Sequence, residues 1–557
     1  MDNYQIADIF SLLSKLMDIH GENSFKSKTY SSAAFAIEKL TVQLAETPLE
    51  KIASIKGIGN SCAQKIEELL NTGELETLNK IILSTPPGII EMLNVKGLGP
   101  KKINTIWKEM EIETVGELLY ACEENRLKLY KGFGEKTQQN ITDSIQFYLK
   151  TKGSHTYAQA DKIVVQLQAF LSELFTGKKI NVTGSYLRQL EMVDELEFVL
   201  EANISEIENG LLAEPTFQLK EKTENWIRYN CSLGIELKIY NATPENFTNT
   251  LVYTSSSDEF LEALAETGLQ EEALDENDFF RQRNLHIIPA MLRESSKIVS
   301  LAKTEVLNGW IKYEDIHGLI HSHSNWSDGN NTIEEMSLAC MEQGLEYMVI
   351  SDHSKSAFYA QGLYEDKIMA QHAYVDELNS KLAPFKIFKS IESDILNDGR
   401  LDYEKNVLAS FDLVIASVHS NLKMTEEKAM MRLLNAIQNP YTTILGHMTG
   451  RLLLGRPPYP VNHKKIIDAC AENHVVIELN ANPNRLDIDW RFIDYALEKN
   501  VFISINPDAH FITGIDDIRF GVLAAQKAFV KKAHNLSSLH LDEFENYLAQ
   551  RKKIKNI

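Results

Sequence analysis

Between positions 320 and 510, a series of apolar runs each ends in a residue that can bind a metal ion. Ile320 leads into His321-Ser322-His323, with Asp328 following. The run 347–350 ends at Asp352-His353, and the run 385–391 ends at Glu392. The run 413–416 ends at His419, 443–445 at His447, and 501–505 at Asp508-Ala509-His510. Imidazoles and carboxylates gathered at strand ends suit Zn²⁺ or Mn²⁺. Parallel α/β folds build their sites at the carboxyl ends of their strands. Residues i and i+2 of a strand face the same way, so His321 and His323 are expected to grip one ion, and Asp508 and His510 likewise. A lone strand-end histidine is usually a cap or a satisfied core group. Recurrence at six strand ends sets these apart, because such groups seldom recur at buried positions. His317, His463, His474, His534 and His540 follow no such pattern and are read as structural. The chemistry expected is metal-assisted phosphoester hydrolysis, since a metal acidifies bound water and neutralises a phosphoryl oxygen. Arg451 and Arg456, just after His447, are expected to clamp the remaining phosphate oxygens through their planar forks.

These residues resemble the PHP (polymerase and histidinol phosphatase) family. The motifs are 321–329 (His-Ser-His-Ser-Asn-Trp-Ser-Asp-Gly), Ser351-Asp352-His353-Ser354, Ile391-Glu392, Ser417-Val418-His419, Gly446-His447 and Asp508-Ala509-His510. The resemblance implies a distorted (β/α)7 barrel holding up to three Mn²⁺ or Zn²⁺ ions. By the same analogy His321, His323, Glu392 and Asp508 share one ion. Glu392, His419 and His447 hold a second, and Asp328, His353 and His510 a third.

The elements that position these groups belong to a chain of 557 residues, long enough for three or more domains. A hydrophobic content of 44% is ample for folded cores. No apolar run approaches the roughly 20 residues that span a membrane, and no signal peptide is seen at positions 1–4. Cys62, Cys122, Cys231, Cys340 and Cys470 are scattered and include no CxxC pair, which fits a reduced, cytoplasmic protein. A net charge of −21 argues against broad electrostatic adhesion to nucleic acid, but leaves local phosphate binding by backbone amides open.

The first 150 positions read as helices, with helical apolar spacing over 6–17 and 33–44. A Gly-apolar-Gly turn then occurs three times: Gly57-Ile58-Gly59, Gly97-Leu98-Gly99 and Gly132-Phe133-Gly134. Each copy sits between two helical stretches. The glycines permit positive φ and leave amides free at the next helix's start for a phosphate. These look like helix-hairpin-helix DNA-binding motifs, which grip sugar-phosphate without reading bases.

From about 155 to 245 the pattern turns to strands at 179–183, 196–200 and 234–240. Here the chain resembles family X DNA polymerases in their bacterial and archaeal PolX form. Gly184, Ser185 and Arg188 match the turn that holds an incoming nucleotide's phosphates, and 288–294 resembles the segment closing the polymerase core. The family's three catalytic aspartates are matched by Glu195, Glu197 and Glu236. Mg²⁺ needs near-octahedral ligands at roughly 2.0–2.1 Å, so the extra methylenes are expected to misplace it. Where the family has Tyr-Phe-Thr-Gly, this chain has Val252-Tyr253-Thr254-Ser255. Lys65 matches the lyase lysine of related repair polymerases, with Lys26 and Tyr30 near a 5′-phosphate pocket, although Ser61 and Cys62 replace the basic character expected there.

The resemblance implies a multidomain α+β and α/β protein. Its parts are a helical lyase-like domain (1–80), a fingers-like domain with two hairpin motifs (81–152), a degenerate nucleotidyltransferase-like palm (153–245), a thumb-like domain (246–312) and the PHP domain (313–557). The implied function is DNA repair: 3′–5′ exonuclease action, with cleavage at abasic sites as an extension, on gapped or 3′-ended DNA held independently of sequence. Alternatives are a gap-filling polymerase that uses the glutamates, Mg²⁺ and deoxynucleotides, a small-molecule phosphatase, and a non-catalytic DNA-binding scaffold.

Overall fold

A computed structural model describes residues 1–40, 42–123, 126–268 and 272–557. The chain divides into two compact units, Met1–Lys152 and Gly153–Ile557. No helix among the described residues is long and apolar enough to cross a membrane.

The first unit is helical. Asp2 and Gln5 form a reciprocal cap that starts the helix Asn3–His20. Ile6, Phe10, Leu13 and Met17 recur at helical spacing and are buried. The second expected helix is shorter than its apolar pattern: Ser24–Glu38 ends before Leu40, and Leu44–Glu46 is a separate 3-10 turn. The three glycine turns share one construction. Gly57, Gly97 and Gly132 take φ of +97°, +88° and +93°. The apolar residue between each glycine pair, Ile58, Leu98 or Phe133, is buried and pins the turn to the core. Gly59, Gly99 and Gly134 then cap the helices Asn60–Thr72, Pro100–Lys108 and Glu135–Thr151 without any side-chain cap bond. A Cβ built on any of these three would meet nothing within 4 Å, so the backbone here has open space on that side.

The second unit begins with a five-stranded sheet in the order Ile180–Thr183, Glu195–Leu200, Glu236–Asn241, Trp226–Cys231, Phe217–Lys222. Glu195–Leu200 and Glu236–Asn241 run parallel, which sets Glu195 beside Glu236 and Glu197 beside Lys238. The rest of the unit carries two parallel sheets. One has the order Lys386–Lys389, Tyr347–Ile350, Gly318–Ser322. The other runs Glu392–Asp394, Val414–Ser417, Thr442–Leu445, Val476–Asn480, Ile503–Asn506. The apolar run 385–391 is thus split: its first part pairs in one sheet, and the strand opened by Glu392 pairs in the other. Single bridges, Ser322 with Ala509 and His353 with Glu392, connect the two sheets. Both bridges involve segments that bear candidate ligands, so the join between the sheets lies at the site.

Lys527 ties this α/β region to the preceding sheet and its neighbours. Its ammonium donates to Arg188 O and the Glu294 carboxylate at 2.7 Å each, and to Met291 O at 3.3 Å. Arg491 and the Trp490 indole both donate to Glu191 nearby in the chain order of the same junction.

The glycine turns generate a differential prediction. Gly97→Ala should cost about 1–2 kcal/mol in chemical denaturation, because a Cβ disfavours its left-handed backbone. Gly99→Ala, at φ −84° with open space around it, should cost little. Equal losses would contradict this account of the turn.

Candidate metal centre

All nine ligand-type residues come together at the carboxyl ends of the parallel strands. Two of them leave regular strand geometry to do so: His321 has φ +66° and Asp508 φ +55°. The ladder between Gly318–Ser322 and Tyr347–Ile350 shifts register over Leu319–Ser322. The simple alternation expected for His321/His323 and Asp508/His510 therefore needs correction. His321 and His323 do converge, both facing Asp508 Oδ1, at 3.5 and 3.0 Å. Asp508 and His510 stay adjacent, with His510 Nδ1 3.8 Å from Asp508 Oδ1, but they join different ligand sets: Asp508 turns to those two imidazoles, while His510 Nε2 turns to Asp328, 3.5 Å away.

Glu392 is the hub. Its Oε1 lies 3.4 Å from His321 Nε2, 3.1 Å from His419 Nε2 and 3.0 Å from His447 Nε2. Its Oε2 lies 3.6 Å from His323 Nε2 and 3.0 Å from His353 Nδ1. In three sets the ligand atoms all lie within 4.8 Å of one another: His321, His323, Glu392 and Asp508; His323, Asp328, His353 and His510; and His353, Glu392 and His419.

The electrostatics are those of a site that wants positive charge. Burial opposes ionisation of Glu392, yet His419, His321 and His353 hold its carboxyl well below the usual range. Asp508 is held well below its usual value, against its burial, by His321 and His323. Burial would lower His321, but Glu478, Asp508 and Glu392 keep it well above its ordinary value. His419 rises to about 9 against its burial, through Glu392 and Asp394. His323 goes the other way: burial, His510 and His353 push it down to about 3.

Hydrogen bonding does not satisfy the cluster. His321 Nε2, His323 Nδ1, His353 Nδ1 and Glu392 Oε2 are buried without a hydrogen-bond partner among the described residues. Lone pairs that face one another at 3.0–3.6 Å without hydrogen-bond geometry fit a shared divalent cation. The donor set of imidazoles and carboxylates thus fits Zn²⁺ or Mn²⁺.

A supporting layer escapes sequence reading. Glu478, fully buried, accepts from His321 Nδ1 at 2.6 Å and from the His447 amide at 3.0 Å. Asn480 and Asn506 donate to it, and Asn480 also donates to Asp508. Asp394 bonds His419 Nδ1. These carboxylates fix ring orientation and leave Nε2 directed at the centre. Asp352, beside His353, accepts from the Ser324 amide and hydroxyl, Ser327 and Gln371, and so holds the loop between His323 and Asp328. Alternating polar residues in 476–480 are the available sequence signal, but strand carboxylates are too common to mark a site.

Other expected site residues are placed differently. Arg451 donates to Arg485 O, Leu486 O and Asp489, so its fork is spent on holding the 485–489 loop. Arg456 gives two nitrogens to Gly450 O. The cation beside the cluster is Arg485, whose Nε lies 3.8 Å from Asp508 Oδ2. At the palm-like sheet the three glutamates face cations of their own sheet. Arg228 donates twice to Glu195, at 2.8 and 3.3 Å. Lys238 lies 3.7 Å from Glu195 and 3.9 Å from Glu197, Tyr240 donates to Glu197, and Lys220 pairs with Glu236. Glu197 also lies against Gly184 so closely that a Cβ there would meet its Oε1 at 1.9 Å. Arg188 is held by Glu294 and Ser256 O, and no hydrogen bond of the Ser185 side chain accompanies it among the described residues. Lys65 donates to Thr77 at 2.7 Å, with the Tyr30 ring 5.9 Å away. At the amino ends of the strands, His317 and His540, read as structural, stack at 3.9 Å beside Glu346.

Removing the charge on Glu478 tests the supporting layer. Glu478→Gln should weaken metal retention by about 10–100-fold, measured by chelator competition. Unchanged retention would contradict its orienting role.

Residues 1–75 match a helix-hairpin-helix domain model, 89–146 a SAM-like helix-hairpin-helix tandem, and 320–482 the PHP domain. The chain is 31% identical over 568 aligned positions to the DNA polymerase/3′-5′ exonuclease PolX of Bacillus subtilis strain 168, covering 97% of this chain and 99% of that one. A probable phosphatase of Caldanaerobacter subterraneus subsp. tengcongensis is 24% identical, over 40% of this chain and 87% of its own. One from Vibrio atlanticus is 26% identical, over 35% and 80%. The full-length match, together with the two hairpin domains and the PHP domain, means that the chain belongs to the PolX family.

Proposed function

We propose that this protein is a metal-dependent 3′–5′ exodeoxyribonuclease of DNA repair, working through its PHP domain on Mn²⁺ or Zn²⁺. The observation that carries the reading is five imidazoles closing on one buried carboxylate, Glu392, with His321 Nε2, His353 Nδ1 and Glu392 Oε2 left without hydrogen-bond partners among the described residues. His321, His323, Glu392 and Asp508 would hold one ion, Glu392, His419 and His447 a second, and Asp328, His353 and His510 a third. Bound ions supply hydroxide near neutral pH and neutralise phosphoryl charge. Glu478 and Asp394 keep the imidazoles aimed, and Arg485 offers a donor to a phosphate oxygen.

The DNA grip is assigned to residues 1–152, in two helical parts meeting near position 80. The helix-start amides after Gly59, Gly99 and Gly134 would take backbone phosphates without reading bases. This reconciles DNA binding with a net charge of −21. Residues 153–245 and 246–312 would be the palm-like and thumb-like parts, with nucleotide addition weakened or lost. Arg228, Lys238 and Lys220 neutralise Glu195, Glu197 and Glu236, so Mg²⁺ has no free carboxylate set, and Glu197 covers the glycine turn. Lys65 is a helix lysine bonded to Thr77, with no lyase role. Cytoplasmic residence follows from this reading.

The protein with Mn²⁺ should shorten a labelled strand from its 3′ end. EDTA should abolish this, and His419→Ala should lower the rate by at least about 100-fold, since both a ligand and its Asp394 partnership are lost. Full activity of that variant, or preference for a small phosphomonoester over DNA, would refute the assignment. On a one-nucleotide gap with Mg²⁺ and deoxynucleotides, no extension is expected. Extension that Glu197→Ala removes would restore the polymerase.

A further inference from the structure

The turn between Tyr347–Ile350 and the helix Glu365–Leu382 is built inside out. Its small residues are buried and its aromatic residues are not: Ala357 and Ala360 are inside, whereas Phe358 is 83% exposed and Tyr359 60%. Apolar side chains normally take the opposite arrangement. The turn is nevertheless tightly held. Leu363 N donates to His353 O at 2.8 Å, Ala357 N to Ser354 O at 3.0 Å, and Gly362 N to Ala357 O at 3.1 Å. Gly362 passes so near Ser354 that a Cβ would lie 1.9 Å from its carbonyl oxygen. The fold therefore fixes the two rings, which meet edge to face with centroids 6.0 Å apart. The Tyr359 ring lies beside the metal cluster, 6.5 Å from that of His353.

We propose that Phe358 and Tyr359 form a base-stacking subsite that receives the terminal nucleobase of the strand being cut. This rests on the exonuclease reading. The occupant follows from charge and place. In that reading the ions held at Asp328 and Glu392 take the scissile phosphate, so the group left to meet the neighbouring Tyr359 ring is the uncharged, flat base. A ring pair accepts any base by its π-face, which suits an enzyme that degrades without regard to sequence.

The test uses strands carrying 2-aminopurine at the 3′ terminus, bound by the full chain with Ca²⁺ in place of Mn²⁺ to prevent cleavage. Stacking should quench the fluorescence in the wild type, and Phe358→Ala/Tyr359→Ala should lose most of that quench. With Mn²⁺, the double variant should raise KM about tenfold more on a base-ended strand than on one ending in a tetrahydrofuran abasic residue. Phe358→Ser, which alters one exposed ring, should show the same preference if the double variant is poorly folded. Retained quench, or equal loss on both strands, overturns the subsite. A wild type that quenches but cuts neither strand would instead overturn the exonuclease reading.

Discussion

A carboxylate buried among five imidazoles is the constraint around which the C-terminal region is organised. Glu392 is wholly inaccessible, as are His321 and His323. Taking such groups from water costs several kcal/mol per charge unless each is paired. Attraction between the acids and His321, His353 and His419 offsets part of that cost, and it holds those imidazoles above their ordinary values. Buried atoms at the centre without hydrogen-bond partners among the described residues show that this pairing is incomplete. Divalent cations would complete it, because each can take several lone pairs at once.

The surrounding fold serves that cluster. Left-handed backbone at His321 and Asp508 turns their side chains inward at the join of the two sheets. Asp352 holds the His323–Asp328 loop through four donated hydrogen bonds. Glu478 reaches both His321 and the His447 amide from a neighbouring strand. The palm-like sheet shows the contrasting solution to the same problem. There the acids are paired with cations of their own sheet, Arg228, Lys238 and Lys220.

The convergence of these acids and imidazoles was legible in the sequence because all but Asp328 close an apolar run, and a strand end is where a parallel fold opens to solvent. The three glycine turns were legible because positive φ leaves few residue choices. The geometry joining i and i+2 was not, since a register shift carries no mark in residue type. Arg451 follows His447 closely in sequence, yet its donors go to the 485–489 loop, and Arg485, which does border the cluster, lies 38 positions past His447. Glu478 and Asp394 act through other side chains, so only coordinates reveal them. His317 and His540 meet Glu346 through long-range packing that no local pattern encodes.

Elemental analysis of the purified protein tests the central claim most directly. The account predicts two or more tightly held Mn²⁺ or Zn²⁺ ions per chain in the wild type, and loss of most of them in Glu392→Gln. A wild-type chain free of divalent metal, or a Glu392→Gln protein that keeps its full complement, would contradict it.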